Sequence, residues 1–360
     1  MVQKLLCGLR CPNGQPKKRR RRCFKGKLGV LLASVLWLDA PGAPQVGISG
    51  PYSHEGLAIL LIHHDAPTWT EGRIKASTLH YLTLEQALNQ KKVVVHETSQ
   101  VNELAVENNS ADAVFIQVGD IVKGGNQDRM ITNDFILPPH SGKLPIAAFC
   151  VEQGRWGRRG NEPLYAFAGS SESASVRFDP KSMSNQMSVW NKVVKLQDSL
   201  ASHLRQQQNA TGLGVAPPLA SPTSLLLTQT SPPVEKAVSA YTKVLAGAVQ
   251  GKTDVVGYAF AVNGEWKSAD LYASPELFAS MWPKLLKSSV VEALQVGRQA
   301  NTAPADTRRA MAFLRAIGAG HETTTRVGQR TQLVKRETPD QLWTESRDGS
   351  AWVHRSIVAK

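Results

Sequence analysis

The residues most capable of chemistry crowd into one stretch, Gly119 to Trp156. A glycine pair, Gly124-Gly125, is followed by Gln127-Asp128-Arg129 and, after two alternating runs, by Cys150-Val151-Glu152-Gln153-Gly154-Arg155-Trp156. Glycine pairs let backbone approach a ligand, and their successive N–H groups can form an anion-binding nest. The Gly-Lys-Ser/Thr of a phosphate-binding loop is missing, and so is the dinucleotide fingerprint, so on its own the pair reads first as a hairpin turn. Period-two alternation puts Gln127 and Arg129 on one strand face, where an amide and a guanidinium could grip a carboxylate or phosphate or could bond to each other. Cys150 and Glu152 share a face in the same way. A carboxylate raises a neighbouring thiol's pKa, which disfavours Cys150 as a nucleophile. Glu152 is the better candidate, as a general base or an arginine partner. Arg155-Trp156 and Arg158-Arg159 set cations beside an indole, suited to stacking on a base or to cation–π packing. No metal-ligand spacing, nucleophile elbow or paired-acid motif occurs, so no metal or cofactor is expected. His63-His64, adjacent on a strand end, face opposite sides and cannot share one metal without a bend.

The elements that must position these residues are mostly strands. Leu57 to Ile62 is a continuous apolar run, expected as a buried strand. Strand-like runs follow at Val93–Glu97, Glu103–Glu107, Ala113–Val118, Arg129–Leu137 and Leu144–Val151, separated by turn residues such as Pro138-Pro139, a spacing that indicates a β-sandwich-like layer. A helix capped by Thr83 is expected over Leu82–Leu88. The period then changes: Met183–Leu204 and Val234–Ala248 carry helical stripes. Val255–Val262 and Glu265–Leu271 flank Asn263-Gly264, whose pair suits a type I′ turn and so a hairpin. Ser274-Pro275-Glu276 begins a helix that Pro283 should kink or divide. A further helix over Asp306–Ile317 and four closing strands, Thr323–Val327, Gln332–Arg336, Gln341–Glu345 and Ala351–Val358, complete the pattern. The expected fold is α+β: a β-sandwich-like half over 54–205, then a helix-plus-hairpin half over 234–360, joined by a flexible Gln/Ser/Thr/Pro-rich loop at 206–233.

Residues 1–42 read as a basic leader. Residues 1–40 hold ten of the 42 Lys/Arg and one of the 29 Asp/Glu, so the net charge of +13 falls to +4 over the remainder. A nucleic-acid partner is therefore not expected. The run Lys17–Arg22 precedes an apolar segment, Leu28–Leu38, of signal-peptide length and too short to span a bilayer. Arg21-Arg22-Cys23-Phe24-Lys25 resembles a twin-arginine export signal. Export to the periplasm or exterior is the expectation, with a cytoplasmic chain as the alternative. Residues 43–53 read as a linker. Three of the four cysteines, Cys7, Cys11 and Cys23, lie in the leader, so without it Cys150 has no intramolecular disulfide partner and the redox compartment is not fixed.

Lys123-Gly124-Gly125-Asn126-Gln127-Asp128-Arg129 with Pro145 through Trp156 resembles the ARG and rhodanese-phosphatase-superfamily-associated protein domain. Tyr81–Leu88, Val101–Leu104, Gln186–Trp190 and Gly257–Leu285 are similar to the same family. The resemblance implies company with ADP-ribosylglycohydrolase and rhodanese-phosphatase relatives in bacteria but no assigned reaction. It marks Gly124, Gly125, Gln127, Arg129, Cys150, Glu152, Gln153, Gly154, Arg155 and Trp156 as motif positions. Three functions remain open: a binding module for a small anionic ligand, of nucleotide or ADP-ribose type, or for a partner protein; a hydrolase with Glu152 as general base; and a structural or interaction protein whose motif is a buried network.

Overall fold

The apolar run Leu57-Ala58-Ile59-Leu60-Leu61-Ile62 is buried at every position, because it lies inside a sheet covered on both faces. The computed structural model describes residues 47–64, 76–98, 100–160, 166–171, 186–211, 224–300, 302–315 and 321–360. The leader expected over 1–42 lies outside these residues. In chain order the strands are β1 (Ile48–His54), β2 (Leu57–His63), β3 (Tyr81–Thr83), β4 (Val93–Glu97), β5 (Glu103–Asn108), β6 (Ala113–Ile116), β7 (Asp120–Lys123), β8 (Arg129–Ile131), β9 (Phe135–Leu137), β10 (Gly142–Cys150), β11 (Ala166–Ser171), β12 (Val255–Val262), β13 (Glu265–Tyr272), β14 (His321–Val327), β15 (Thr331–Glu337), β16 (Gln341–Asp348) and β17 (Ala351–Ala359). The helices are α1 (Leu84–Asn89), α2 (Gln186–Thr211), α3 (Leu225–Gln229), α4 (Pro232–Leu245), α5 (Pro275–Val296) and α6 (Thr307–Arg315). The fold is α+β and mostly sheet, as the alternation of periods indicates.

An eight-stranded sheet runs β1-β2-β12-β13-β17-β16-β15-β14. On one face Leu57, Ile59 and Leu61 meet Tyr258, Phe260 and the buried sides of α2, α4 and α5. On the other, Leu60 and Ile62 meet Ala259, Trp343, Ile357 and Phe313 of α6. Fully burying each such Leu or Ile is worth about 1.5–3 kcal/mol, so this strand pair is a major source of stability. A six-stranded sheet, β11-β7-β8-β10-β5-β4, and a three-stranded one, β3-β6-β9, share a second core. There Val93, Val95, Leu104, Val106 and Ile146 meet Leu82, Val114, Ile116, Phe135 and Leu137. These two sheets form the sandwich-like layer expected of the first half. The division into halves is looser than the sequence indicates, because β2 pairs with β12 along its length.

Several elements depart from the sequence reading. The stretch 43–53, read as a linker, contains most of β1; its Pro51 is tolerated because β1 is an edge strand, and the register shifts between Ser49 and Tyr52. The single run Arg129–Leu137 splits into β8 and β9, which belong to different sheets. The turn between them carries Thr132-Asn133-Asp134, and Asp134 accepts from the Val118 N–H at 2.9 Å. The loop at 206–233 is partly helical: α2 continues to Thr211 and α3 occupies Leu225–Gln229. Leu225 and Leu226 are buried and anchor that polar tract. Pro283 does not divide α5, because Phe278, Met281, Trp282 and Leu285 on either side are held in the core.

Local signals for the other elements hold. Thr83 caps α1 in a reciprocal box with Gln86, which satisfies two orphan backbone donors. Asn263 and Gly264 have φ of 52° and 82°, the positive values their turn requires. Ser274 caps α5 through the Leu277 N–H at 3.2 Å, with Pro275 in the first turn.

Candidate functional site

β8 and β10 pair so that Arg129 lies opposite Cys150, and the chemistry gathers around that pair. The Arg129 guanidinium donates to Cys150 Sγ at 2.8 Å and to the Val101 carbonyl at 2.5 Å. The Cys150 thiol donates to Gln127 Oε1, and the Gln127 amide reaches the Glu152 carbonyl at 3.3 Å. Gln127 and Arg129 therefore do point at one place, and what they hold is the thiol. Gln186 of α2 clasps the Cys150 backbone with both ends of its amide, at 3.0 and 2.7 Å. Burial pushes the Cys150 thiol up to about 11; the Arg129 charge pulls the other way, and Glu97 and Glu152 add to the rise. Even with a cation in contact, desolvation dominates, and Cys150 is a thiol at neutral pH.

A second layer is a charged network. Arg155 Nε donates to Glu152 Oε2 at 2.5 Å, and its terminal nitrogens reach Asp128 Oδ1 at 3.2 Å and the Gly125 and Gly157 carbonyls at 3.0 and 2.7 Å. Arg159 bridges the same two acids, at 2.7 Å to Asp128 and 3.1 and 3.0 Å to the Glu152 oxygens. Burial raises the Asp128 pKa despite the Arg159 and Gly124 donors that lower it. Burial works against the Arg159 charge, but its bonds to Asp128 and Glu152 win, and its pKa rises. The loop after β10 is thus pinned to the loop before β8 by two arginines and two carboxylates.

The glycine turn belongs to the same network. Gly124 (φ 110°) and Gly125 (φ 57°) adopt conformations that favour glycine. The Gly124 N–H donates to Asp128 at 3.1 Å, and the Asn126 N–H donates to Glu97 at 2.8 Å. Two amides that could form an anion nest are occupied by the protein's own carboxylates. Arg129 is 3% exposed and Glu152 5%, whereas Gln153 and Gly154 are exposed and Trp156 is 64% exposed. The motif therefore has an inside, Gln127, Arg129, Cys150 and Glu152, and an outside, Gln153, Gly154 and Trp156, with Arg155 joining them.

Sequence reasoning missed three participants. Strict alternation would turn Asp128 away from Gln127 and Arg129, but β8 begins only at Arg129 and the preceding residues do not alternate. Glu97 arrives from β4, with no local signal. The third lies across the molecule: His354 Nδ1 bonds Asp134 at 2.7 Å and Nε2 lies 3.2 Å from Asp270, all buried. A His within the strand-forming run of β17 is the one signal that could have found it. His63, singled out at a strand end, bonds Asp254 at 3.0 Å and Ser49 at 2.8 Å.

Among the described residues no group of three or more His, Cys, Asp or Glu side chains is placed to hold a metal ion, and no helix is long and apolar enough to cross a membrane. Fold and motif together define an α+β chain that closes its most polar motif into an ion-pair network and displays one tryptophan beside it. The model of the ARG and Rhodanese-Phosphatase-superfamily-associated Protein domain matches residues 45–358, and the chain belongs to that family. No curated protein and no solved structure matches it.

Proposed function

We propose that the chain is a binding module whose recognition element is the loop Glu152–Gly160, with Trp156 as the contact residue. The ligand class proposed is a small anion of nucleotide or ADP-ribose type. The observation that carries this reading is the contrast between an exposed indole and the network that holds its loop. A large amphipathic side chain held on a fixed loop loses little conformational freedom on binding, and its face suits stacking on a base, worth about 1–3 kcal/mol. Arg155, at the base of that loop, keeps a partly exposed guanidinium.

Hydrolysis with Glu152 as general base is less well supported. Both oxygens of Glu152 already accept from Arg155 and Arg159, and a base must offer a lone pair to water. The test uses the full chain. Melting temperature is followed with ADP-ribose, ADP and AMP, and the same mixtures are assayed for product by mass spectrometry. The expected result is a shift without turnover that is lost in Trp156→Ala, whose unliganded melting temperature stays within about 2 °C of wild type because the indole is exposed. Product formation would overturn the binding-only reading, and no shift with any of the three would overturn the ligand class.

A further inference from the structure

Ser49, His63 and Asp254 come together at one end of the eight-stranded sheet. Ser49 lies on the edge strand β1, His63 closes β2, and Asp254 immediately precedes β12. His63 Nδ1 is 3.0 Å from Asp254 Oδ2, and Nε2 is 2.8 Å from Ser49 Oγ. The backbone holds the histidine in place: the His63 N–H donates to the Gly47 carbonyl at 2.8 Å, and the His64 N–H to the Asp254 carbonyl at 2.9 Å. In a neutral imidazole one nitrogen carries the hydrogen and the other accepts. An ionised carboxylate can only accept, so Nδ1 donates to Asp254 and Nε2 is left to accept from the Ser49 hydroxyl. That is the order in which an acid, an imidazole and a hydroxyl activate a serine nucleophile.

The strand around Ser49 is irregular in a way that serves such a group. Pairing between β1 and β2 runs Ile48 with Ile62 and Ser49 with Leu61, then shifts and resumes at Tyr52 with Ile59. Gly50 and Pro51 fall outside the paired register. Leu61 and Ile59 share a face by period two, so the extra residue of this bulge turns Ser49 and Tyr52 to that same face. Gly50 is exposed, and a Cβ there would lie 3.1 Å from the Tyr52 ring, which places the ring against the glycine that follows the hydroxyl. Tyr52 in turn packs on the main core, so it is a fixed apolar surface beside Ser49. Ser49 is half-buried, and the His63 and Asp254 side chains are 15% and 61% exposed. The hydroxyl is therefore held by the fold but open to solvent.

We propose that Ser49, His63 and Asp254 form a serine-esterase site for short, uncharged carboxylic esters. Ser49 Oγ attacks the ester carbon as its proton passes to His63 Nε2. The Gly50 N–H, one residue past the nucleophile and outside the strand pairing, is the donor assigned to the oxyanion. The carbon–oxygen bond to the leaving alcohol then breaks, and His63 Nε2 returns the proton to that oxygen. Water repeats the sequence on the acyl-serine, giving the free acid and restoring Ser49. Ester and water give acid and alcohol, and no oxidant, reductant or cofactor takes part. Asp254 is a positioning residue, which holds the tautomer that leaves Nε2 free to accept. The Tyr52 ring gives a short acyl chain an apolar surface. The site shares no residue with the Glu152–Gly160 loop.

The test treats the full chain with a fluorophosphonate, whose phosphorus takes an activated serine oxygen as fluoride leaves, and maps adducts by peptide mass spectrometry. Hydrolysis of p-nitrophenyl butyrate is followed in parallel. Ser49 should be modified in the folded chain and not in urea, and the adduct should be lost in His63→Gln. Ester turnover should be lost in Ser49→Ala. Asp254→Asn, at an exposed position that leaves the fold undisturbed, should lower kcat at least about tenfold with KM unchanged, because it weakens the hold on the tautomer and not the binding of the ester. An unmodified Ser49 in the folded wild-type chain would overturn the proposal without recourse to any variant. So would an adduct that persists in His63→Gln, or turnover that persists in Ser49→Ala.

Discussion

Arg155 ties the two ends of the motif together. Its guanidinium makes four hydrogen bonds, two to carboxylates and two to carbonyls from both ends of the motif. Removing it leaves Glu152 and Asp128 sharing Arg159 alone. Loss of one partner from a buried ion pair costs about 3–5 kcal/mol, and the partial exposure of Arg155 brings the expected figure down to about 2 kcal/mol. Arg155→Ala should therefore lower the urea midpoint markedly; an unchanged midpoint would show that the network contributes nothing to folding. Cys150 yields a second prediction at this scale. Its thiol is fully buried and pushed up to about 11, so iodoacetamide at pH 8 should leave Cys150 unmodified in native protein and alkylate it in urea. Rapid native alkylation, read by peptide mass spectrometry, would contradict the enclosure described above.

At the scale of elements, the hairpin β12–β13 bears a tight steric constraint at Gly257. A Cβ on Gly257 would lie 2.5 Å from the Asp270 carbonyl and 3.0 Å from the Leu271 Cα, both backbone atoms that cannot swing aside. Gly257→Ala should cost about 2 kcal/mol or more, measurable as a drop in melting temperature; a neutral effect would mean that the strands can part without loss. The hairpin itself was legible because its signals are local: two alternating runs and an Asn-Gly pair that needs positive φ at both positions. The caps at Thr83 and Ser274 were legible for the same reason. What stayed hidden depends on partners distant in the chain. The break between β8 and β9 is imposed by two sheets competing for one apolar run, and the continuity of α5 through Pro283 comes from core side chains overriding a backbone preference. The candidate site divides likewise. Residue types in the Cys150–Trp156 motif announced a polar cluster, but Glu97 and Asp128, which decide whether the arginines are available, reach it only through tertiary packing.

At the scale of the whole molecule, a buried histidine is one of the links between the sheets. His354 on β17 stacks on Tyr272 of β13 with ring centroids 4.8 Å apart. It bonds Asp270 within the large sheet and Asp134 on the turn that leads into the three-stranded sheet. The Tyr272 hydroxyl extends the connection to Gln117 at 3.0 Å, and a buried Lys284–Asp120 pair continues it to α5. Burial disfavours the charged imidazole, but the two carboxylates more than compensate and hold its pKa at about 9, above the ordinary 6.5. A base whose pKa is raised on folding contributes stability that is complete below its unfolded value and is lost as pH rises through its folded one. The window here is therefore about 6.5 to 9, and the shift corresponds to a loss on the order of 3 kcal/mol across it. Asp134, whose pKa the His354 charge lowers against its own burial, contributes with the opposite sign, above the ordinary carboxylate range and fading as pH falls through its depressed value. Lys287 and Lys335, lowered by burial, favour folding as pH rises, but they do so in wild type and variant alike. Unfolding free energies from urea titrations at pH 6, 7.5 and 9 should fall steeply in wild type relative to His354→Gln. Parallel pH profiles for the two proteins would show that folding does not raise the imidazole's pKa and that the two carboxylates do not hold it charged.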